Sequence, residues 1–184
     1  SLQLVQAWRV ENHPLWTRYR VALQNMRAEL EACALPLPGI GMLTGIEAAI
    51  GLLTVDMDTS VNETYLLHGT RPENILQIVH EGLNERFTGR AYFGYGSYLA
   101  EDAGKADQYV MPVTQARMPD DLWNELYGVP NPTRIDGNIY FAFLCRVALG
   151  FPAITKNGEC TIDGSAVWAV SHRRAERREL AEAP

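Results

Sequence analysis

The residues best suited to chemistry lie between Tyr65 and Tyr109. His68 ends a short apolar run and is followed directly by Gly69, and farther on the run Phe93-Gly-Tyr-Gly-Ser-Tyr98 alternates glycines with aromatic rings. Aromatic side chains can stack on a flat ring, and a glycine lets another group come close to the backbone. Together these residue types could bind a flat heteroaromatic ring that carries hydrogen-bonding groups.

Cleavage of the nicotinamide bond of NAD⁺ makes matching demands. The ring needs flanking aromatic side chains, its carboxamide needs backbone donors and acceptors, and the adenosine ribose needs a polar side chain. The oxocarbenium-like ribose that remains needs a nearby carboxylate or carbonyl. A redox dinucleotide fold would instead show GxGxxG between a strand and a helix. The run from Gly94 has half of that pattern and precedes a strand-like segment, so the sequence does not support a Rossmann site.

Two motifs in this stretch resemble the poly(ADP-ribose) polymerase-like, diphtheria-toxin-type ADP-ribosyltransferases, also called the H-Y-E class. The first motif is Tyr-Leu-Leu-His68-Gly69-Thr70, and the second runs from Phe93 to Ala100 and on through Tyr109. Segments outside the motifs resemble the family's first helix, its helix and loop over NAD⁺, and its following core strand: 8–26, 73–90 and 143–153. Each motif is weak alone, but their ordered combination is specific.

The resemblance implies a role for each matching residue. His68 matches the histidine that binds the adenosine ribose, and Gly69 matches the glycine whose backbone contacts the carboxamide. Tyr98 and Tyr109 match the two tyrosines that enclose the nicotinamide ring. His68 and Tyr98 are thus the candidate catalytic residues, although a strand-end histidine or a core tyrosine is the ordinary alternative. Further candidate contacts to NAD⁺ are Thr70, Arg86, Arg90 and Ala106, the two arginines because guanidinium suits phosphate.

The chain departs from the family pattern at two positions. Ala106 stands where the family usually has a serine whose hydroxyl contacts the carboxamide, a bond worth about 0.5–1.5 kcal/mol. The glutamate that polymerising members carry on a late strand has no clear match. Aligning residues 166–170 with that strand places Ser165 near its position, with Glu159 and Asp163 upstream as candidates. Loss of the glutamate favours transfer of a single ADP-ribose and is also compatible with an inactive domain.

The elements that must hold these residues mix helices and strands without strand–helix alternation, which is typical of an α+β domain. We expect one ADP-ribosyltransferase domain over 1–184 with a split mixed or antiparallel sheet and flanking helices. Its expected parts are a helical leading segment over about 5–55, an NAD-binding core over about 64–110 and 138–184, and an insertion over about 111–137.

Local patterns predict the individual elements. In the leading segment, Asn12 before His13–Pro14 predicts a helix start, and Trp8 and Trp16 are expected to pack toward the core. Residues 39–55 are interpreted as a buried helix. Strands are predicted over 64–68, 97–100 and 138–149, and helices from Arg71–Pro72 to His80 and over about 102–109. The insertion contains an acidic amphipathic piece, residues 119–128, and is expected to contact the acceptor or a neutralising partner.

Composition narrows the class of protein. The net charge of −6 disfavours broad non-specific binding to nucleic acid, although the arginine-bearing tail from His172 offers a local positive surface. Three scattered cysteines do not form a zinc or disulfide pattern, so no metal is expected, and Cys145 is interpreted as a buried thiol. The longest apolar stretch is too short and too interrupted to span a membrane. The opening at Ser1 suggests a domain excised from a longer protein.

The expected activity is NAD-dependent mono-ADP-ribosyl transfer with release of nicotinamide, NAD⁺ being a consumed substrate. The expected acceptor is a macromolecule, first a protein and otherwise RNA or DNA. If the domain is a toxin or effector, we also expect a neutralising immunity protein as a partner and a cytoplasmic site of action. The domain would then be secreted, or delivered into a target cell as part of a larger protein. Two alternatives stay open: a non-catalytic domain that binds NAD, ADP-ribose or a protein, and an NAD glycohydrolase.

Overall fold

The computed structural model describes residues 3–34, 36–37, 57–84, 95–128 and 135–152. Within these residues the helices are α1 (His13–Cys33), α2 (Ile75–Glu81), α3 (Ala103–Ala106) and α4 (Asp120–Tyr127). The strands are β1 (Glu63–Gly69), β2 (Val113–Thr114), β3 (Asn138–Ile139) and β4 (Ala142–Ala148). The predicted α+β composition is therefore confirmed. The helix expected over 39–55 lies outside the described residues.

The described strands form two small sheets. β1 lies beside β4, and β2 pairs antiparallel with β3 so that Val113 faces Ile139. The strand predicted over 97–100 is wrong in extent, because only Ala100 pairs: it exchanges two backbone hydrogen bonds of 2.8 Å with Leu67. The strand predicted over 138–149 is interrupted at 140–141, where Phe141 packs into the hydrophobic core.

Helix α1 begins where the sequence predicted. The Asn12 side-chain oxygen accepts a hydrogen bond from the backbone N–H of Leu15 at 3.1 Å, which caps the first turn. The helix ends at Cys33, and Ala34 takes a left-handed φ of 52°. A residue with a positive φ does not fit a right-handed α-helix, so the helix ends before Ala34.

The expectation that Trp8 and Trp16 pack into the core is wrong. Trp8 is 37% exposed and Trp16 is 43% exposed, whereas the buried residues of α1 are Leu23 and Leu30. Trp16 stacks on Tyr19 with ring centroids 5.6 Å apart. Trp16 lies seven residues before Leu23, on the same side of the helix, so helical spacing alone does not show how far along α1 the buried face extends.

The chain divides into two compact units whose segments alternate along the sequence. The first unit comprises Ser1–Arg20, Leu66–Leu83 and Leu99–Cys145. Its hydrophobic core joins α2 and α4 to the residues around β3, through Ile75, Met118, Leu122, Ile139 and Phe141. The segment interpreted as an insertion thus supplies core residues to this unit.

The second unit comprises Val21–Tyr65, Asn84–Tyr98 and Arg146–Pro184. Its β1 residue Glu63 has a fully buried side chain that accepts hydrogen bonds from Arg146 Nε at 2.6 Å and Nη2 at 2.8 Å. The Asp58 backbone N–H also donates to Glu63, at 2.7 Å. Because a buried carboxylate is costly without partners, these bonds make Glu63 compatible with the strand interior.

Candidate functional site

Strand β1 positions His68 and Gly69 near its C-terminal end. Tyr65 and the flanking threonine favour extended backbone, and Leu66 anchors the strand because it is buried. His68 is partly buried. Thr70, just beyond the strand, is buried, and its hydroxyl accepts a hydrogen bond from the Asn74 side chain at 3.3 Å. That bond ties the residue after Gly69 to the turn that leads into α2.

Gly69 packs directly against the helical turn that carries Ala106. A Cβ placed on Gly69 would lie closer to the Ala106 carbonyl oxygen than the 3.0 Å that real Cβ atoms respect, and 3.1 Å from Val110 Cγ1. No side chain fits at this position without displacing backbone. The requirement for glycine therefore has a packing cause inside the protein, in addition to the ligand contact that the resemblance implies.

Helix α3 is short and is capped at its start. The Asp102 side chain accepts a hydrogen bond from the Gly104 backbone N–H at 2.6 Å, so the helix begins at Ala103. A 3-10 turn, Asp107–Tyr109, continues it. The predicted helix over about 102–109 is thus confirmed as two consecutive elements. They bury Ala106 and leave Tyr109 53% exposed.

Tyr109 is accompanied by a cation that the sequence interpretation missed. Lys105 precedes Tyr109 by one helical turn, and its Nζ lies 5.2 Å from the centre of the tyrosine ring. The same ammonium donates a hydrogen bond to Gln108 Oε1 at 3.0 Å. The i, i+4 spacing of a lysine and an aromatic residue is the signal that would have identified this pair.

The structure thus brings together part of the predicted site within the first unit. Gly69 contacts Ala106, Tyr109 follows on the same turn, and His68 and Thr70 flank Gly69 along the chain. Tyr98 is partly buried and belongs to the second unit. Five candidate residues lie outside the described residues: Arg86, Arg90, Glu159, Asp163 and Ser165.

Two other features bear on chemistry. Among the described residues, no three His, Cys, Asp or Glu side chains are placed to hold a metal ion. Burial raises the pKa of the Cys145 thiol to about 11, so this thiol is protonated at neutral pH and is a poor nucleophile. Cys145 is partly buried, which agrees only in part with the predicted buried thiol.

Comparison of the sequence with models of known protein families shows to which family the chain belongs. The sequence model of the poly(ADP-ribose) polymerase catalytic domain matches residues 1–171. The chain belongs to this family. Among curated proteins, none matches it. Within the described residues, no helix has the length and apolar character needed to cross a membrane.

Family membership supports one kind of chemistry for this fold. Poly(ADP-ribose) polymerase catalytic domains use NAD⁺ as the substrate from which ADP-ribose is transferred, and the match supports the same NAD-dependent transfer here. The helices and small sheets of the structure agree with an α+β ADP-ribosyltransferase fold. The resemblance inferred from the ordered motifs is therefore confirmed at the level of family and fold.

Proposed function

We propose that this chain transfers a single ADP-ribose from NAD⁺ to a macromolecular acceptor and releases nicotinamide. The observation that carries the proposal is the family match over residues 1–171. The packing of Gly69 against Ala106, one turn before Tyr109, agrees with it, because it joins the two matching motifs in one place. In this proposal His68 binds the adenosine ribose, and Thr70, Arg86 and Arg90 contact ribose or pyrophosphate.

The proposed reaction breaks the C1′–N bond of NAD⁺. Tyr98 and Tyr109 hold the nicotinamide ring, and the bonding electron pair passes to the ring nitrogen as neutral nicotinamide leaves. The ribose becomes oxocarbenium-like, and the acceptor nucleophile forms its bond to C1′ from the opposite face and then loses its proton. Binding holds both reactants in line, so their translational freedom is already lost before the chemical step and the barrier is lower. Surrounding dipoles stabilise the charge that develops on the ribose.

Single transfer is favoured over polymer formation by the sequence after β4. Polymerising relatives carry a glutamate on a late strand, whereas the matching stretch here offers Ser165, with Glu159 and Asp163 upstream. Without a carboxylate at that position, the terminal ribose of a bound ADP-ribose would lack the group that helps to elongate the chain. The proposal therefore expects one ADP-ribose per acceptor site.

The proposed acceptor is a protein, with RNA or DNA as the other macromolecular classes. The outer face of α4 is the surface proposed to meet it, because Asp120, Asp121 and Glu125 are exposed there. The same face would meet a neutralising immunity protein if the chain acts as a toxin or effector. That role places its action in the cytoplasm of a target cell, after delivery as part of a larger protein.

The test is incubation with NAD⁺ labelled in the ADP-ribose moiety and a whole-cell lysate, with nicotinamide release measured in parallel. We expect label in a macromolecular fraction, without a polymer ladder. Removal of the label by protease or by nuclease identifies the acceptor class. Tyr109→Ala should reduce nicotinamide release at least about tenfold, whereas Tyr140→Ala, on a similarly exposed tyrosine, should not.

A non-catalytic binding domain is the second candidate, and Ala106 together with the unplaced glutamate favours it. The missing hydroxyl removes one expected bond to the carboxamide, and the missing carboxylate removes a group that assists transfer, while the remaining contacts to NAD⁺ or ADP-ribose are retained. Binding of NAD⁺ without nicotinamide release would favour this candidate and contradict transfer. Free ADP-ribose with no labelled macromolecule would instead indicate an NAD glycohydrolase.

A further inference from the structure

Among the described residues, Lys105 places a cation beside the ring of Tyr109, one of the two tyrosines proposed to hold nicotinamide. Its Nζ lies 5.2 Å from the centre of the Tyr109 ring, and the Gln108 side-chain oxygen accepts a hydrogen bond from it at 3.0 Å. It is the only lysine or arginine between Tyr95 and Ala116 in the sequence. The ammonium is therefore held over the ring by two contacts on its own helical turn.

Among the described residues, the carboxylates near Lys105 in the sequence do not neutralise its charge by direct contact. Within the described part of the chain, Lys105 makes no ion pair. Asp102 uses a side-chain oxygen to cap α3 through the Gly104 N–H, and the exposed Glu101 and Asp107 make no described contact with Lys105. A positive charge thus remains beside Tyr109 on the face of the turn that carries it.

The ring that this charge would meet is itself charged. The nicotinamide of NAD⁺ is a pyridinium with one positive charge, whereas the dihydronicotinamide of NADH and free nicotinamide are neutral. A ring stacked on Tyr109 would lie within roughly 10 Å of Lys105 Nζ. At the effective dielectric of a partly exposed site, repulsion between two unit charges at that separation changes a binding constant by roughly two- to tenfold.

We propose that Lys105 is a specificity-determining residue that makes the site sensitive to the charge of the nicotinamide ring. It weakens binding of the oxidised, positively charged dinucleotide relative to the neutral, reduced one. This inference rests on the proposed function, because it takes Tyr109 as a contact of the nicotinamide ring. It concerns the charge of the ring alone, since NAD⁺ and NADH share every phosphate and ribose.

The test is titration calorimetry with NAD⁺ and with NADH at low ionic strength. The variants are Lys105→Met and Lys105→Gln, which remove the charge, and Lys105→Arg, which keeps it. Arg18→Met removes one charge from an exposed site on α1 and serves as the matched control. We expect the neutral variants to lower the Kd for NAD⁺ by about two- to tenfold relative to that for NADH, and the effect to shrink at high salt.

The outcomes separate this inference from the function on which it rests. An unchanged ratio of the two dissociation constants in both neutral variants overturns the role of Lys105 while leaving NAD⁺ binding intact. Equal weakening of both ligands also overturns it, because it would indicate contact with a shared group such as the pyrophosphate. If the unaltered protein binds neither dinucleotide, the proposed function fails and this inference fails with it. A shifted ratio in Lys105→Met and Lys105→Gln, absent from Lys105→Arg and Arg18→Met, supports it.

Discussion

Ala106 lies in the turn against which Gly69 packs, and its side chain takes the place of the serine usual in the family. Its burial means that a hydroxyl introduced there would meet protein or ligand rather than bulk water. A polar group in such a place must find a hydrogen-bonding partner. The carboxamide of bound nicotinamide is the partner that the family pattern supplies.

We therefore predict that Ala106→Ser lowers the KM for NAD⁺ by about two- to tenfold, the effect of one hydrogen bond worth about 0.5–1.5 kcal/mol. The measurement is the initial rate of nicotinamide release over a range of NAD⁺ concentrations. Ala103→Ser places a hydroxyl on an exposed position of the same helix and should leave the KM unchanged. A higher KM in Ala106→Ser, or an equal change in both variants, would contradict a carboxamide contact here.

The sequence predicted the importance of Gly69 but could not predict its packing. The His-Gly-Thr motif marked this glycine because of its order relative to the later motif. The crowding by the Ala106 carbonyl oxygen depends on a contact between residues far apart in the chain. Likewise, the residues around Lys105 showed a helix, but only the structure shows that its ammonium reaches the Tyr109 ring.

Among the elements, α1 and α2 are joined through one side chain. The Asn12 side-chain oxygen caps α1, while its Nδ2 donates to the carbonyls of Val79 at 3.1 Å and His80 at 2.9 Å, in the last turn of α2. Those carbonyls have no partner within their own helix, because the last four C=O groups of any helix lack one. One amide thus satisfies the start of one helix and the end of another.

Exchanging this amide for a carboxylate separates its two roles. Asn12→Asp keeps the cap acceptor but loses the donor and places a negative charge against the C-terminal end of α2, which is unfavourable. Asn12→Ala loses both roles. We predict that each variant lowers the free energy of unfolding by about 1–3 kcal/mol, measured by urea denaturation. Asn25→Asp, on an exposed position of α1, is the control, and stability of Asn12→Asp equal to that of the unaltered protein would show that capping alone matters.

The elements also show where sequence patterns stop being informative. The cap at Asn12 and the strand over 64–68 were predicted because each depends on adjacent residues. The Trp8 indole N–H donates to the Leu126 carbonyl at 2.8 Å, and its ring packs edge-on against Tyr127. That contact lies at the surface and joins distant segments, so helical spacing alone wrongly placed Trp8 in the core.

At the scale of the whole molecule, the segment from Met111 to Gly137 has a different role from the one that the sequence suggested. Its prolines and its length led to its interpretation as an insertion, yet Met118 and Leu122 belong to the core of the first unit. The amphipathic pattern of α4 indicated a buried face, but no pattern in the sequence indicates that this face packs against α2 and β3. Deleting the segment would therefore remove core residues and could not isolate a role in acceptor binding.

We predict instead that Leu122→Ala lowers the free energy of unfolding by about 2–5 kcal/mol, because the side chain is 1% exposed and its loss leaves a cavity between α2 and α4. Leu144→Ala, at a position 43% exposed, should cost less than about 1 kcal/mol. Urea denaturation of both variants measures the difference. Comparable small losses would show that α4 is peripheral after all. A large loss confined to Leu122→Ala would mean that any contact of α4 with an acceptor uses the exposed carboxylates of the helix. Substitutions of these carboxylates leave the core intact and are therefore the proper test of acceptor binding by α4.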